Sequence, residues 1–87
     1  MITVLLPTAL MRLFPGSERT LVVSAEDVKG VVDALDARWP GMRDRLCDSS
    51  PSVRRHINVF VEGERARLDT PVPAGAEVFI MTAISGG

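Results

Sequence analysis

Apolar positions change their period several times along the chain, and each change marks an element. Ile2 to Leu6 is an apolar run rich in β-branched residues and closed by Pro7, which predicts a first strand. Thr8 to Glu18 reads as a connection with turn chemistry at Pro15-Gly16-Ser17. Leu10, Leu13 and Phe14 make that connection too apolar to be fully solvated, so part of it is expected to pack on the core. Arg19 to Ser24 is a second strand, and its closeness to the first predicts an antiparallel hairpin.

The period then lengthens. From Asp27 to Trp39, Val28, Val31, Val32, Leu35 and Trp39 fall on one helical stripe. Asp27 is a good N-cap, and Glu26 adds negative charge at the N-terminal dipole. Lys29 and Asp33 stand at i, i+4 on the opposite face, and Pro40-Gly41 ends the helix. Trp39 is expected as a core anchor. Met42 to Cys47 reads as one further helical turn, followed by a loop over Asp48-Ser49-Ser50-Pro51-Ser52.

The period returns to two at His56 to Val61, with Ile57, Val59 and Val61 on one face and Asn58 and Phe60 on the other. Glu62-Gly63-Glu64 turns the chain into a short strand over Arg65 to Leu68, and Pro71 to Gly75 turns it again. Glu77 to Ala83 is the last strand, with Val78 and Ile80 on one face and Phe79 and Met81 on the other. The order is hairpin, helix, strands. That order predicts an α+β domain with one main helix laid across a mixed sheet of four to five strands. The first and last strands are the most apolar, which places them side by side and parallel at the sheet centre.

At 87 residues the chain holds one modest core, and 46% hydrophobic with 24% charged residues is globular rather than disordered. A net charge of −1 supplies no general attraction to nucleic acid or to an anionic membrane. No apolar run approaches the span of about 20 residues that a membrane helix needs. Met1 to Pro7 lacks the charged start and long apolar run of a signal peptide, so a cytoplasmic protein is expected. Cys47 is the one cysteine, which excludes an internal disulfide, and it reads as structural. His56 reads as a strand-edge residue. The chain carries no His/Cys/Asp cluster at metal spacing and no phosphate-cradling glycine loop, so no bound cofactor or metal is expected.

The chemistry is expected at the end of the chain. Residues 1–83 read as the folded domain and residues 84–87, Ile84-Ser85-Gly86-Gly87, as a flexible tail leaving the last strand. Four extended residues reach at most roughly 13–14 Å. Glycines without Cβ atoms thread a channel too narrow for other residues. A terminal carboxylate is ionised at neutral pH and is a poor electrophile, so it reacts only after activation by another enzyme.

The strand pair, the helix beginning at Asp27-Val28, the run Ile57-Asn58-Val59-Phe60-Val61-Glu62-Gly63-Glu64 and the terminal Gly86-Gly87 together resemble the ubiquitin-like sulfur carriers of the ThiS and MoaD type. The resemblance covers nearly the whole chain and implies a β-grasp fold. It implies that an E1-like adenylyltransferase/sulfurtransferase uses ATP to adenylate the Gly87 carboxylate. A sulfur donor then displaces AMP and leaves a thiocarboxylate. It implies a protein co-substrate rather than an enzyme, with Ile84, Ser85, Gly86 and Gly87 threading the partner's active site. Ser49-Ser50-Pro51, Arg54-Arg55-His56 and Ser85 are most similar to the cysteine-biosynthesis branch, whereas Thr82-Ala83 stands where many relatives carry proline. The sulfur-accepting partner would be a cysteine-synthase-like or a molybdopterin-synthase-like enzyme.

A sheet covered by one helix buries one face, and the other is expected to be polar. Here that face carries Phe60, Phe79 and Met81, which are expected to form an apolar patch that docks partners. The alternatives are that residues 8–18 fold over the patch or that a homodimer hides it. Arg54, Arg65 and Arg67 are candidates for steering acidic partner surfaces. Two other functions compete with the carrier: a ubiquitin-like modifier joined to lysines through Gly87, and a non-catalytic subunit whose tail inserts into a partner.

Overall fold

A computed structural model describes residues 1–49 and 52–82. The elements in chain order are β1 (Ile2–Leu5), α1 (Thr8–Leu13), β2 (Thr20–Val23), α2 (Val28–Arg38), α3 (Met42–Leu46), β3 (Ile57–Val61), β4 (Glu64–Arg65) and β5 (Glu77–Thr82). The five strands form one mixed sheet in the order β2-β1-β5-β3-β4. The expected hairpin is present, with Val4 opposite Leu21 in antiparallel register. The expected central parallel pair is also present, with Val4 opposite Val78. β3 runs antiparallel to β5 from Ile57↔Thr82 to Val61↔Val78.

The core lies between the inner face of this sheet and the helices. Ile2, Val4, Val59, Val78 and Ile80 from the strands meet Val28, Val31, Val32 and Leu35 from α2, all at most 2% exposed. Val59, Val78, Ile80 and the four α2 residues are the positions that the strand alternation and the helical stripe pick out, whereas the apolar run of β1 left its inward residues, Ile2 and Val4, to the structure. Trp39 departs from its expected role. It is the C-cap of α2, only partly buried against the core, and the Arg38 guanidinium lies 5.3 Å from its ring centroid. The anchors below α2 are instead Met42 and Leu46 of α3.

Asp27 caps α2 as expected, its carboxylate accepting from the Gly30 N–H at 2.7 Å. The next orphan donors of the first turn are satisfied from a distant segment. The Val28 N–H donates to the Thr70 carbonyl and the Lys29 N–H to the Leu68 carbonyl. Asp33 is held by Arg43 at 2.6 Å, not by the i, i+4 contact with Lys29 that the spacing suggests.

Two further expectations need correction. The connection after β1 contains a six-residue helix, since Ala9, Leu10, Met11, Arg12 and Leu13 are all good helix formers. β4 is Glu64–Arg65 rather than Arg65 to Leu68. Glu62 and Gly63 take positive φ values of 51° and 85°, the signature of a tight type I′ hairpin turn, so pairing begins at once at Val61↔Glu64. It ends early because residues 68–70 leave the sheet to cap α2.

Candidate functional site

The expected reactive residue Gly87, and with it Ile84, Ser85 and Gly86, lies outside the described residues. What the structure places is the root of that segment. Thr82, the last described residue, ends β5, which has β1 on one side and β3 on the other. A central strand of this kind, with Val78 and Ile80 locked into the core below it, fixes the position of Thr82.

The face of the sheet turned away from the helices carries a row that crosses all five strands. In register it reads Thr20, Leu5, Phe79, Phe60 and Arg65. Phe79 and Phe60 stand directly opposite each other, a cross-strand aromatic pair of the kind that stabilises a sheet. Met81 lies one step nearer the root, opposite Asn58. Met81 is 51% exposed and Phe79 36%, while Phe60 is half-buried. The three expected residues therefore share one outward face, with Phe60 more covered than the other two.

Residues 8–18 do not fold over this face. Leu10 is buried in the core, Met11 and Phe14 pack against it, and Phe14 lies against Gly41 on the helical side. Two members of the apolar face are missing from the expected set: Leu5, next to Phe79, and Val22, 49% exposed on β2. Strand alternation contains the signal for both. Leu5 shares the face of Thr3, and Val22 stands between the inward Leu21 and Val23.

The remaining titratable groups and arginines are placed as follows. Cys47 is buried in the core, and burial pushes its thiol pKa up, opposed by the Arg43 guanidinium nearby. His56 is exposed just before β3. Arg54 donates through Nε to the Asp44 carbonyl at 2.8 Å. Asp36 accepts from the backbone N–H of Arg43 and of Gly41, each at 3.0 Å, and the Arg43 bond leads in holding its carboxyl below the usual range. Among the described residues no three His, Cys, Asp or Glu side chains are grouped to hold a metal, and no helix is long and apolar enough to cross a membrane.

Comparison with known proteins agrees with this arrangement. The chain superposes on a solved structure described as the Amycolatopsis orientalis BexX/CysO complex with a TM-score of 0.87 and 28% identity, covering 100% of both chains. It is 33% identical over 92 residues to the sulfur carrier protein CysO of Mycobacterium tuberculosis, spanning 99% of this chain and 98% of that protein. It is also 33% identical over 75 residues to small archaeal modifier protein 1 of Haloferax volcanii, spanning 83% of this chain and 86% of that one. Residues 4–87 match the ThiS family model. A single sheet with its two most apolar strands parallel at the centre, one capped helix across it and a family match reaching Gly87 make this chain a β-grasp protein of the ThiS family.

Proposed function

We propose that this chain is a sulfur carrier whose working group is the carboxylate of Gly87. In the first step a carboxylate oxygen attacks the α-phosphorus of ATP on an E1-like partner and pyrophosphate leaves. In the second a sulfide-level nucleophile attacks the acyl carbon of the adenylate, the C–O bond breaks, and AMP departs. The product is a thiocarboxylate that donates its sulfur to a synthase. The chain's own residues supply no acid, base or metal to these steps. They present the terminus, with β5 as its root and the outer-face residues Phe79, Met81 and Phe60, joined by Leu5 and Val22, as the docking patch.

The observation that carries this reading is the match to a carrier over 98% of that protein's length, within a family match that runs through Gly87. The name of that relative favours cysteine formation as the destination of the sulfur. A molybdopterin-synthase-like acceptor is the alternative branch. The CysO of the BexX/CysO complex supports the expectation of a protein partner. Incubation with ATP, an activating enzyme and sulfide should raise the intact mass by the difference between one sulfur and one oxygen atom. Deleting Gly87 should abolish that gain. A carrier that still supports sulfur transfer without Gly87 would sink the reading and favour a tail that merely inserts.

The 33% identity to a small archaeal modifier protein favours a second reading, in which Gly87 is joined to lysines of other proteins. That reading predicts covalent adducts of higher mass in cell extract, and these should be absent for the Gly87 deletion.

A further inference from the structure

Level with the end of β5, on the far side of β3, the structure holds a cleft of about 820 Å³ that the carrier chemistry does not use. Its floor is the edge of Ile57–Val59, one wall is Ser52–Arg55, and the other is Arg65–Asp69. The cleft exists because β4 covers only Phe60 and Val61, after which residues 68–70 depart to cap α2. A single bond, from the Ala66 N–H to the Val59 carbonyl, ends the ladder on that side.

Two observations specify what fits there. The first is main-chain. The N–H and C=O of one strand residue point the same way, so the Val59 N–H and the Ile57 carbonyl also face the cleft. Among the described residues no backbone bond is made to either on that side. The second is charge. Arg55, Arg65 and Arg67 are exposed and line the cleft, and Arg54 joins them from the same wall. Among the described residues, no carboxylate comes within ion-pair distance of these arginines, whereas Arg38 and Arg43 are paired elsewhere. Asp69 is the one acid among the described residues of the lining. Arg65 and Arg67 alternate about the half-buried Ala66, which gives them the two-residue repeat of an extended chain.

We propose that this cleft docks an extended acidic segment of a partner protein. One residue of that segment, in a strand running parallel to β3, donates its N–H to the Ile57 carbonyl and accepts through its own carbonyl from the Val59 N–H. Its carboxylates lie against Arg55, Arg65 and Arg67. A peptide carries both the donor and the acceptor that the open edge asks for at strand spacing, whereas a phosphodiester carries acceptors alone, and the chain's net charge of −1 lacks the general basicity of a nucleic-acid binder. Ile57 is the register partner of Thr82, so the docked segment sits one strand away from the last described residue of β5. The inference rests on the carrier reading for the existence of a partner that receives the tail, but the binding itself needs no chemistry at Gly87.

The test uses the full chain and a fluorescein-labelled decapeptide that alternates Glu with Val and Thr, followed by fluorescence anisotropy at low salt. Binding should weaken by about tenfold or more in the Arg65→Glu, Arg67→Glu variant, whose fold is checked by circular dichroism. It should weaken similarly when the peptide is N-methylated at alternate residues, and it should survive deletion of Gly87. Amide shifts on the 15N-labelled chain should centre on Ile57–Val59. The proposal is overturned if the arginine variant binds the peptide unchanged, if N-methylation has no effect, if the shifts centre on Phe79 and Met81, or if a single-stranded oligonucleotide of equal charge binds as tightly. Because peptide binding and thiocarboxylate formation are measured separately, loss of one leaves the other interpretable.

Discussion

Asp27 and Asp36 are both acidic residues that bind backbone N–H groups, yet they differ in how far the sequence announces them. Asp27 precedes an apolar stripe and is legible as a cap. Its bond to the Gly30 N–H makes Asp27→Ala a loss of about 1 kcal/mol of stability, measurable as a lower urea midpoint with an unchanged slope. Asp36 reads as one more solvated acid of the helix. Its partners, the N–H groups of Gly41 and Arg43, come within reach only because Gly41 takes a φ of 100° and folds α3 back against the end of α2. A carboxyl whose folded pKa is lowered contributes stability above its unfolded pKa and loses it as pH falls through the folded value. The stability gap between the native chain and Asp36→Asn should therefore be full at neutral pH and close under acid, which denaturation curves across pH will check.

The β3–β4 hairpin and the segment after it show how elements are decided. Glu62-Gly63 was legible as a turn, and its type I′ geometry follows from the positive φ of both residues. A Cβ at Gly63 would meet nothing within 4 Å, so Gly63→Ala tests backbone conformation alone. It should cost about 1–2 kcal/mol, the ordinary penalty of a left-handed L-residue, read from chemical denaturation. The length of β4 was not legible. Local pattern allows a strand through Leu68, but the Leu68 and Thr70 carbonyls are drawn off by the unsatisfied N–H groups of α2. α1 was hidden for a related reason: its only fully buried side chain is Leu10, so six residues carry too little periodicity to separate a helix from an apolar loop.

The molecule as a whole works by separating its two sheet faces. The inner face, closed by α2, α3 and Leu10 of α1, holds the domain together. The outer face leaves apolar side chains in view. Phe79→Asp with Met81→Asp should leave the buried core untouched, at the loss of the Phe79–Phe60 pair, and circular dichroism checks that the variant folds. The same pair should slow partner-dependent thiocarboxylate formation by about tenfold or more if the patch docks the activating enzyme, since truncating an interface anchor costs upward of about 1–2 kcal/mol. Intact-mass kinetics measure it, and an unchanged rate would remove the outer face from the docking model.

The faces of β3 and β5 and the α2 stripe with its cap were settled by local chemistry, because each depends on side-chain period and hydrophobicity that neighbours along the chain already express, whereas the high apolarity of the first and last strands only suggested the parallel pairing that the fold completes. Which arginines among the described residues stand without an ion-pair partner beside an open strand edge, and that Trp39 yields its expected place to Met42 and Leu46, were settled only by packing. Each depends on which distant backbone groups and side chains meet, and hydrogen bonds such as Lys29 to Leu68, 39 residues apart, leave no periodic trace.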